Sequence, residues 1–110
     1  MADAKNYKKA VPALKEKYKN VNNAFITELL TNENSDTLGS GFFILDSSSF
    51  KFLYSYDEVI LVLKGVLKVI IKDRLIELIA GEVFFAKKNL EVLFKTDTYT
   101  EWFYVTYPPD

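Results

Sequence analysis

The sequence predicts an all-β fold, an antiparallel sandwich or barrel, and three observations carry that expectation. From residue 24 onward, runs of five to seven residues rich in Val, Ile, Leu, Phe and Tyr alternate with turn residues almost without interruption. The connections between those runs are too short for the helical crossovers that parallel strands need. Finally, 49% of the 110 residues are apolar and 15% aromatic, which supplies one core of ordinary size in one domain.

The elements follow in chain order. Within residues 5–20, Tyr7, Val11, Leu14 and Tyr18, followed by Val21, recur at spacings of four and three, the stripe of an amphipathic helix. Pro12 fits best in a first helical turn, so the spacing predicts a helix over residues 12–19 preceded by a loose arm. Residues 1–23 are thus expected to form an N-terminal arm and residues 24–110 the barrel. Nine strands are expected in that barrel: 24–30, 41–46, 50–54, 58–64, 66–72, 75–80, 83–87, 90–95 and 101–107, the last stopped by Pro108-Pro109. Gly41, Gly65 and Gly81 mark turns, bulges or close strand approaches. Runs such as VILVL and VLKVII are apolar at nearly every position rather than at every second one. Strands of that kind are covered on both faces, which points to a homodimer.

Composition removes much chemistry. With no cysteine there is no disulfide, thiolate metal site or cysteine nucleophile, and with no histidine there is no Ser-His-Asp triad or imidazole ligand. Carboxylate, lysine, phenol, hydroxyl and backbone groups remain, with a hard cation such as magnesium as their natural metal. Residues 1–20 carry six lysines against Asp3 and Glu16, whereas residues 21–110 hold eight basic against thirteen acidic groups. A body of that charge does not suit nucleic acid. No run is long enough to span a membrane and the N-terminus does not look like a secretory signal, so a cytoplasmic protein is expected.

One constellation is informative. In YSYDEVILVLKG (54–65), Glu58 is followed after six residues by Gly65, the second half of the first cupin signature. The two histidines of that signature fall on Phe52 and Tyr54. In the second signature, which begins at Gly81, the proline falls on Lys87, the glycine on Asn89 and the last histidine on Val92. Of the four usual ligand positions only Glu58 keeps a ligating side chain, so a cupin double-stranded β-helix (jelly-roll barrel) without its transition-metal centre is expected. More specifically, the chain resembles the ethanolamine-utilisation EutQ family over residues 25–110. The resemblance rests on FITELLTNENSDTLGSGFF (25–43), Tyr56-Asp57-Glu58, Gly65 and the closing Phe103-Tyr104-Val105-Thr106-Tyr107-Pro108. Ile60 and Lys64 stand where the family often has acids, and Ala86-Lys87-Lys88-Asn89 replaces its IPKG segment.

Glu58 is the first candidate site residue, because a carboxylate opening an apolar strand either emerges at the barrel mouth or is buried with a partner. Tyr54 is that partner, and Asp57 joins them as a catalytic candidate. A structural hydrogen bond between Tyr54 and Glu58, and ordinary turn chemistry for Asp57, are the alternatives. Tyr56, Phe52, Trp102 and Tyr104 are candidates for lining a ligand cavity, with plain core packing as the other explanation. If Glu58 faces inward, alternation sends residues 60 and 62 inward as well.

Three functions compete. The resemblance implies an accessory, assembly or small-molecule-binding component of ethanolamine metabolism, associated with a bacterial microcompartment whose proteins would dock on residues 5–20. It also implies acetate kinase activity, which would require magnesium and ATP. The third is a metal-free cupin that holds a small organic ligand in its barrel.

Overall fold

The computed structural model describes residues 4–7 and 16–109. Seven strands form one antiparallel sheet: β1 (Glu16–Lys17), β2 (Ala24–Leu30), β3 (Gly39–Leu53), β4 (Asp57–Ile71), β5 (Arg74–Ile79), β6 (Val83–Ala86) and β7 (Glu91–Tyr107). Their order is β1-β2-β3-β7-β4-β5, with β6 paired to β4. No helix among the described residues is long and apolar enough to cross a membrane.

Six of the nine expected strands are pairwise fusions. Runs 41–46 and 50–54 join through Asp46 to Ser49 into β3, runs 58–64 and 66–72 join through Gly65 into β4, and runs 90–95 and 101–107 join into β7. The joints are bulges, not turns. Register shifts between Asp46 and Ser48 in β3, and between Val62 and Lys64 and again between Gly65 and Lys68 in β4, bend each long strand while its ladder continues on both sides. Gly65 shows why a glycine stands there: its φ is +71°, and a Cβ at that position would collide with the carbonyl oxygen of Tyr99 on β7.

The bends divide the sheet into two layers. In the first, residues 39–46 of β3 and 99–106 of β7 pair beside β2, and 57–64 of β4 pairs with β7 and β6. In the second, 48–53 of β3, 91–96 of β7 and 66–71 of β4 continue alongside β5. Aromatic rings bridge the two layers. Phe43 and Trp102 stack at 4.6 Å within the first layer, and they meet Phe50 (5.5 Å from Phe43) and Phe94 (5.5 Å from Trp102) from the second. The core is completed by Leu45, Ile60, Val62, Leu67, Val69 and Val92, all essentially inaccessible to solvent.

The N-terminal segment departs from expectation. Residues 12–15 of the expected helix lie outside the described residues, and its second half is not helical: Glu16 and Lys17 pair with Ile26 and Phe25 at the edge of the first layer. Tyr18 then packs edge-on against Phe43 at 4.8 Å and beside Phe50 at 5.3 Å. A free edge on β2 and an aromatic cluster with room for one more ring outweigh a local helical stripe interrupted by Pro12. Residues 16–18 of the segment expected to dock on microcompartment proteins are therefore engaged with the sheet, while residues 8–15 lie outside the described residues.

Candidate functional site

Strand alternation brings Glu58, Ile60 and Val62 to the interior of β4, as expected, and places Trp102, Tyr104 and Thr106 on the inner face of β7 while Phe103, Val105 and Tyr107 face outward. Glu58 is directly opposite Thr106 in the ladder, and Ile60 opposite Tyr104. At this end of the sheet the two layers border a partly open cavity of about 190 Å³. Its wall includes Phe43, Phe50, Phe52, Tyr56, Phe94, Trp102 and Tyr104, with Glu58 and Thr106 among its polar groups and Tyr18, Lys19, Glu28 and Ser55 also contributing.

Tyr54 holds Glu58. β3 ends at Leu53, and the Tyr54 backbone is clamped to the turn before β7: its N–H donates to the Leu90 carbonyl (2.9 Å), and its carbonyl accepts from the Asn89 N–H (2.8 Å). Asn89 can occupy that turn because it adopts φ +80°, a conformation that asparagine tolerates. The clamp directs the Tyr54 ring into the core, 1% exposed and edge-on to Phe52 at 4.8 Å. From there its hydroxyl donates to Glu58 Oε1 at 2.5 Å. Burial, and then the adjacent Glu58 carboxylate, push the phenol well above its ordinary range, so it is a fixed hydrogen-bond donor and not an acid near neutral pH.

Asp57, adjacent in sequence, is placed differently. It is half-buried, lies outside the cavity wall, and accepts the Lys88 N–H at 2.8 Å, fastening the turn that follows β6. Phe52, Tyr56, Trp102 and Tyr104 do line the cavity, whereas Tyr54 does not and packs against the Phe52 and Tyr56 rings. Sequence reasoning did not single out Phe43, Phe50, Phe94 or Thr106. Phe43 could have been found from parity, since it is paired with Trp102 in the ladder, but Phe50 and Phe94 belong to the other layer and only the bends bring them in. Gly41 has a part too: a Cβ there would sit 2.5 Å from the Tyr104 hydroxyl, so its absence makes room for that wall of the cavity.

The positions that carry imidazoles in metal-binding cupins hold Phe52, Tyr54 and Val92, and among the described residues no three His, Cys, Asp or Glu gather to hold a metal ion.

Residues 13–110 match the family model described as ethanolamine utilisation protein EutQ. The chain belongs to the EutQ family. The EutQ relatives called acetate kinase EutQ include that of Clostridioides difficile strain 630, 34% identical over 78% of this chain and 55% of its own length. That of Salmonella typhimurium is 31% identical over 76% of this chain and 36% of its own. The chain therefore spans about half or less of the length of these curated EutQ relatives. The solved EutQ structure from Clostridium difficile superposes with a TM-score of 0.75 at 33% identity, covering 79% of this chain and 64% of the other. The Salmonella typhimurium LT2 EutQ structure gives 0.74 at 30% identity, with 79% and 71% covered. An RmlC-like cupin from Shewanella frigidimarina has a TM-score of 0.73 at 14% identity, covering 94% of this chain and 92% of its own, which marks the EutQ fold as cupin-like.

The Tyr54–Glu58 pair gives a test of its own. Tyr54→Phe removes the donor and leaves the ring, so stability near pH 8 should fall by about 1–3 kcal/mol, the cost of a buried carboxylate deprived of a partner. The pH dependence should change as well. The folded chain keeps a proton that an unfolded tyrosine releases above about pH 10. The stabilisation tied to that proton is complete below pH ~10 and is lost as pH rises, by about 1.4 kcal/mol per unit. Tyr99, pushed up to about 12 mainly by burial and then by Glu101, adds to the same alkaline loss in both proteins. Urea unfolding between pH 8 and 11.5 should show a shallower alkaline decline for Tyr54→Phe; parallel curves would mean that the phenol proton is not held as described.

Proposed function

We propose that this chain is a small-molecule-binding cupin of ethanolamine utilisation, working as a homodimer in the cytoplasm or inside a bacterial microcompartment. The observation that carries this reading is the cavity itself, partly open to solvent, whose wall is largely aromatic and includes one buried carboxylate, Glu58. Aromatic walls with a few fixed polar groups characterise sites that bind organic ligands. At about 190 Å³ the cavity is smaller than the roughly 300–1,000 Å³ that drug-sized ligands occupy, so it suits a small compound.

The dimer is supported by the outer face of the first layer. Neighbouring strands there carry the rows Phe85–Val59–Val105 and Val83–Leu61–Phe103–Phe42. The Lys64–Glu101 ion pair (3.6 Å) bounds them. An apolar sheet face rimmed by polar groups is complementary to a second copy of itself about a two-fold axis.

The names of the curated relatives favour a second reading, acetate kinase chemistry. Magnesium could be met by the Glu58 carboxylate together with nucleotide phosphates. The nucleotide itself would have to lie outside the cavity, towards the mouth at Ser55 and Lys19.

Thermal denaturation with a panel of small organic compounds, with divalent metals alone and with Mg-ATP separates the readings. A compound present at 100 times its Kd should stabilise the fold by about 2.7 kcal/mol, with no comparable effect from metals. Acetyl phosphate formed from ATP and acetate, and lost in Glu58→Gln but not in Asp57→Asn, would instead establish the kinase at this site.

A further inference from the structure

The cavity's chemistry narrows the ligand further, on the basis of the small-molecule reading above. Three features of its wall act together. The rings of Phe43, Phe50, Phe94 and Trp102 form one contiguous cluster with centroid separations of 4.6–5.5 Å. Aromatic rings carry negative potential on their faces, to which a cation is attracted. Glu58 adds a buried carboxylate whose position is set by Tyr54. Beside it, Thr106 is 1% exposed, and its Oγ1 has no hydrogen-bond partner among the described residues. A buried hydroxyl in that condition costs about 1–3 kcal/mol unless something else completes it. Direct cross-strand pairing sets Glu58 and Thr106 side by side on the inner wall, so one ligand head group can meet both.

We propose that this cavity selects a small organic ammonium ion, with the cationic head group between the Glu58 carboxylate and the Thr106 hydroxyl and its carbon atoms against the Phe43–Trp102 ring cluster. An ammonium group brings N–H donors to the carboxylate and to the hydroxyl oxygen, while its positive charge is attracted to the ring faces. A carboxylate or phosphate ligand would enter the field of Glu58. Among the described lining residues the cationic side chain is Lys19, which is exposed and lies over the Tyr18 ring at 5.2 Å. A purely apolar ligand would leave the Thr106 hydroxyl uncompleted.

Charge selectivity in the unmodified protein is the decisive measurement, because it does not depend on whether a variant folds. By isothermal titration of the full chain, ethanolamine or choline should bind at least tenfold tighter than the uncharged counterparts ethylene glycol and 3,3-dimethylbutanol, with acetate weaker still. Glu58→Gln should reduce the ammonium affinity tenfold or more and bring it close to that of the neutral compound. Thr106→Val should weaken ethanolamine more than choline, whose methylated nitrogen donates no hydrogen bond. Neutral compounds binding as well as their cationic counterparts, or acetate binding best, would overturn the ammonium assignment and leave the small-molecule reading standing. If none of these compounds bound and none of the wider panel stabilised the fold, both would fall.

Discussion

Trp102→Ala should destabilise the protein by about 3–5 kcal/mol, the range for removing a large buried aromatic side chain. For a domain of this size that corresponds to a fall in Tm of more than roughly 12 °C. The indole stacks on Phe43 at 4.6 Å and meets Phe94 at 5.5 Å, so it connects the two layers while forming part of the cavity wall. Relaxation has little scope to reduce the loss. β7 is hydrogen-bonded to β3 on one side and β4 on the other at this level, and an alanine would merge its vacated volume with a cavity already about 190 Å³ in size. Trp102→Phe retains most of the buried ring area and should recover more than half of the loss. Thermal unfolding of the three proteins by circular dichroism decides the matter: an alanine variant melting within a few degrees of the parent would show that the indole does not hold the layers together.

Phe85→Asp should convert a dimer of twice the 12.7 kDa chain mass into a monomer. Phe85 is 56% exposed and its cross-strand neighbour Val59 is 40% exposed, so a carboxylate at residue 85 remains hydrated in the single chain and the fold should survive. In the dimer it would be buried against apolar side chains. A two-fold axis places every substitution on both sides of the interface, so two uncompensated charges are introduced at once. Sedimentation equilibrium across a concentration series gives the answer. A parent protein that stays monomeric at all concentrations, or a Phe85→Asp protein that still dimerises, would remove this face from consideration.

The proposed site and the proposed interface lie on opposite sides of the same strands. In β4, Glu58 and Ile60 face the interior while Val59 and Leu61 face outward, and in β7 Trp102 and Tyr104 face inward while Phe103 and Val105 face outward. Runs such as VILVL, apolar at consecutive positions, satisfy two different environments at once. Substitutions at neighbouring residues should accordingly have separable effects, Ile60 on stability, Trp102 on stability and the cavity, Val59 and Phe85 on association.

Much of this was legible in the chain itself. Glu58 seven residues ahead of Gly65, with Tyr54 four residues before it, pointed to a carboxylate–phenol pair, and alternation along β4 then placed residues 60 and 62 inside. Both inferences depend only on local geometry, the two-residue period of a strand and the short reach from Tyr54 to Glu58. The cupin signature and the EutQ segments were likewise readable because they are linear patterns. Asp57 shows where local reasoning divides: the same residue suited a catalytic role and a turn, and only the position of the Lys88 N–H, 31 residues away, shows which group it meets.

Other features depended on assembly. Nine runs became six strands because glycine and serine positions that resemble turns can also be bulges, and the presence of a paired neighbour on each side distinguishes them. The helical stripe at 12–19 gave way, over its described half, to pairing with β2 and to the place of Tyr18 beside Phe43 and Phe50. Phe94 and Thr106 entered the cavity wall through bends and cross-strand register that no short window contains. Residue type and spacing thus determined an all-β antiparallel fold, its inward and outward parity and its missing imidazoles. Which rings enclose the cavity, and which hydroxyl remains without a partner inside it, was decided by contacts between residues tens of positions apart, because a folded strand pairs with whatever the bulges and turns bring alongside it.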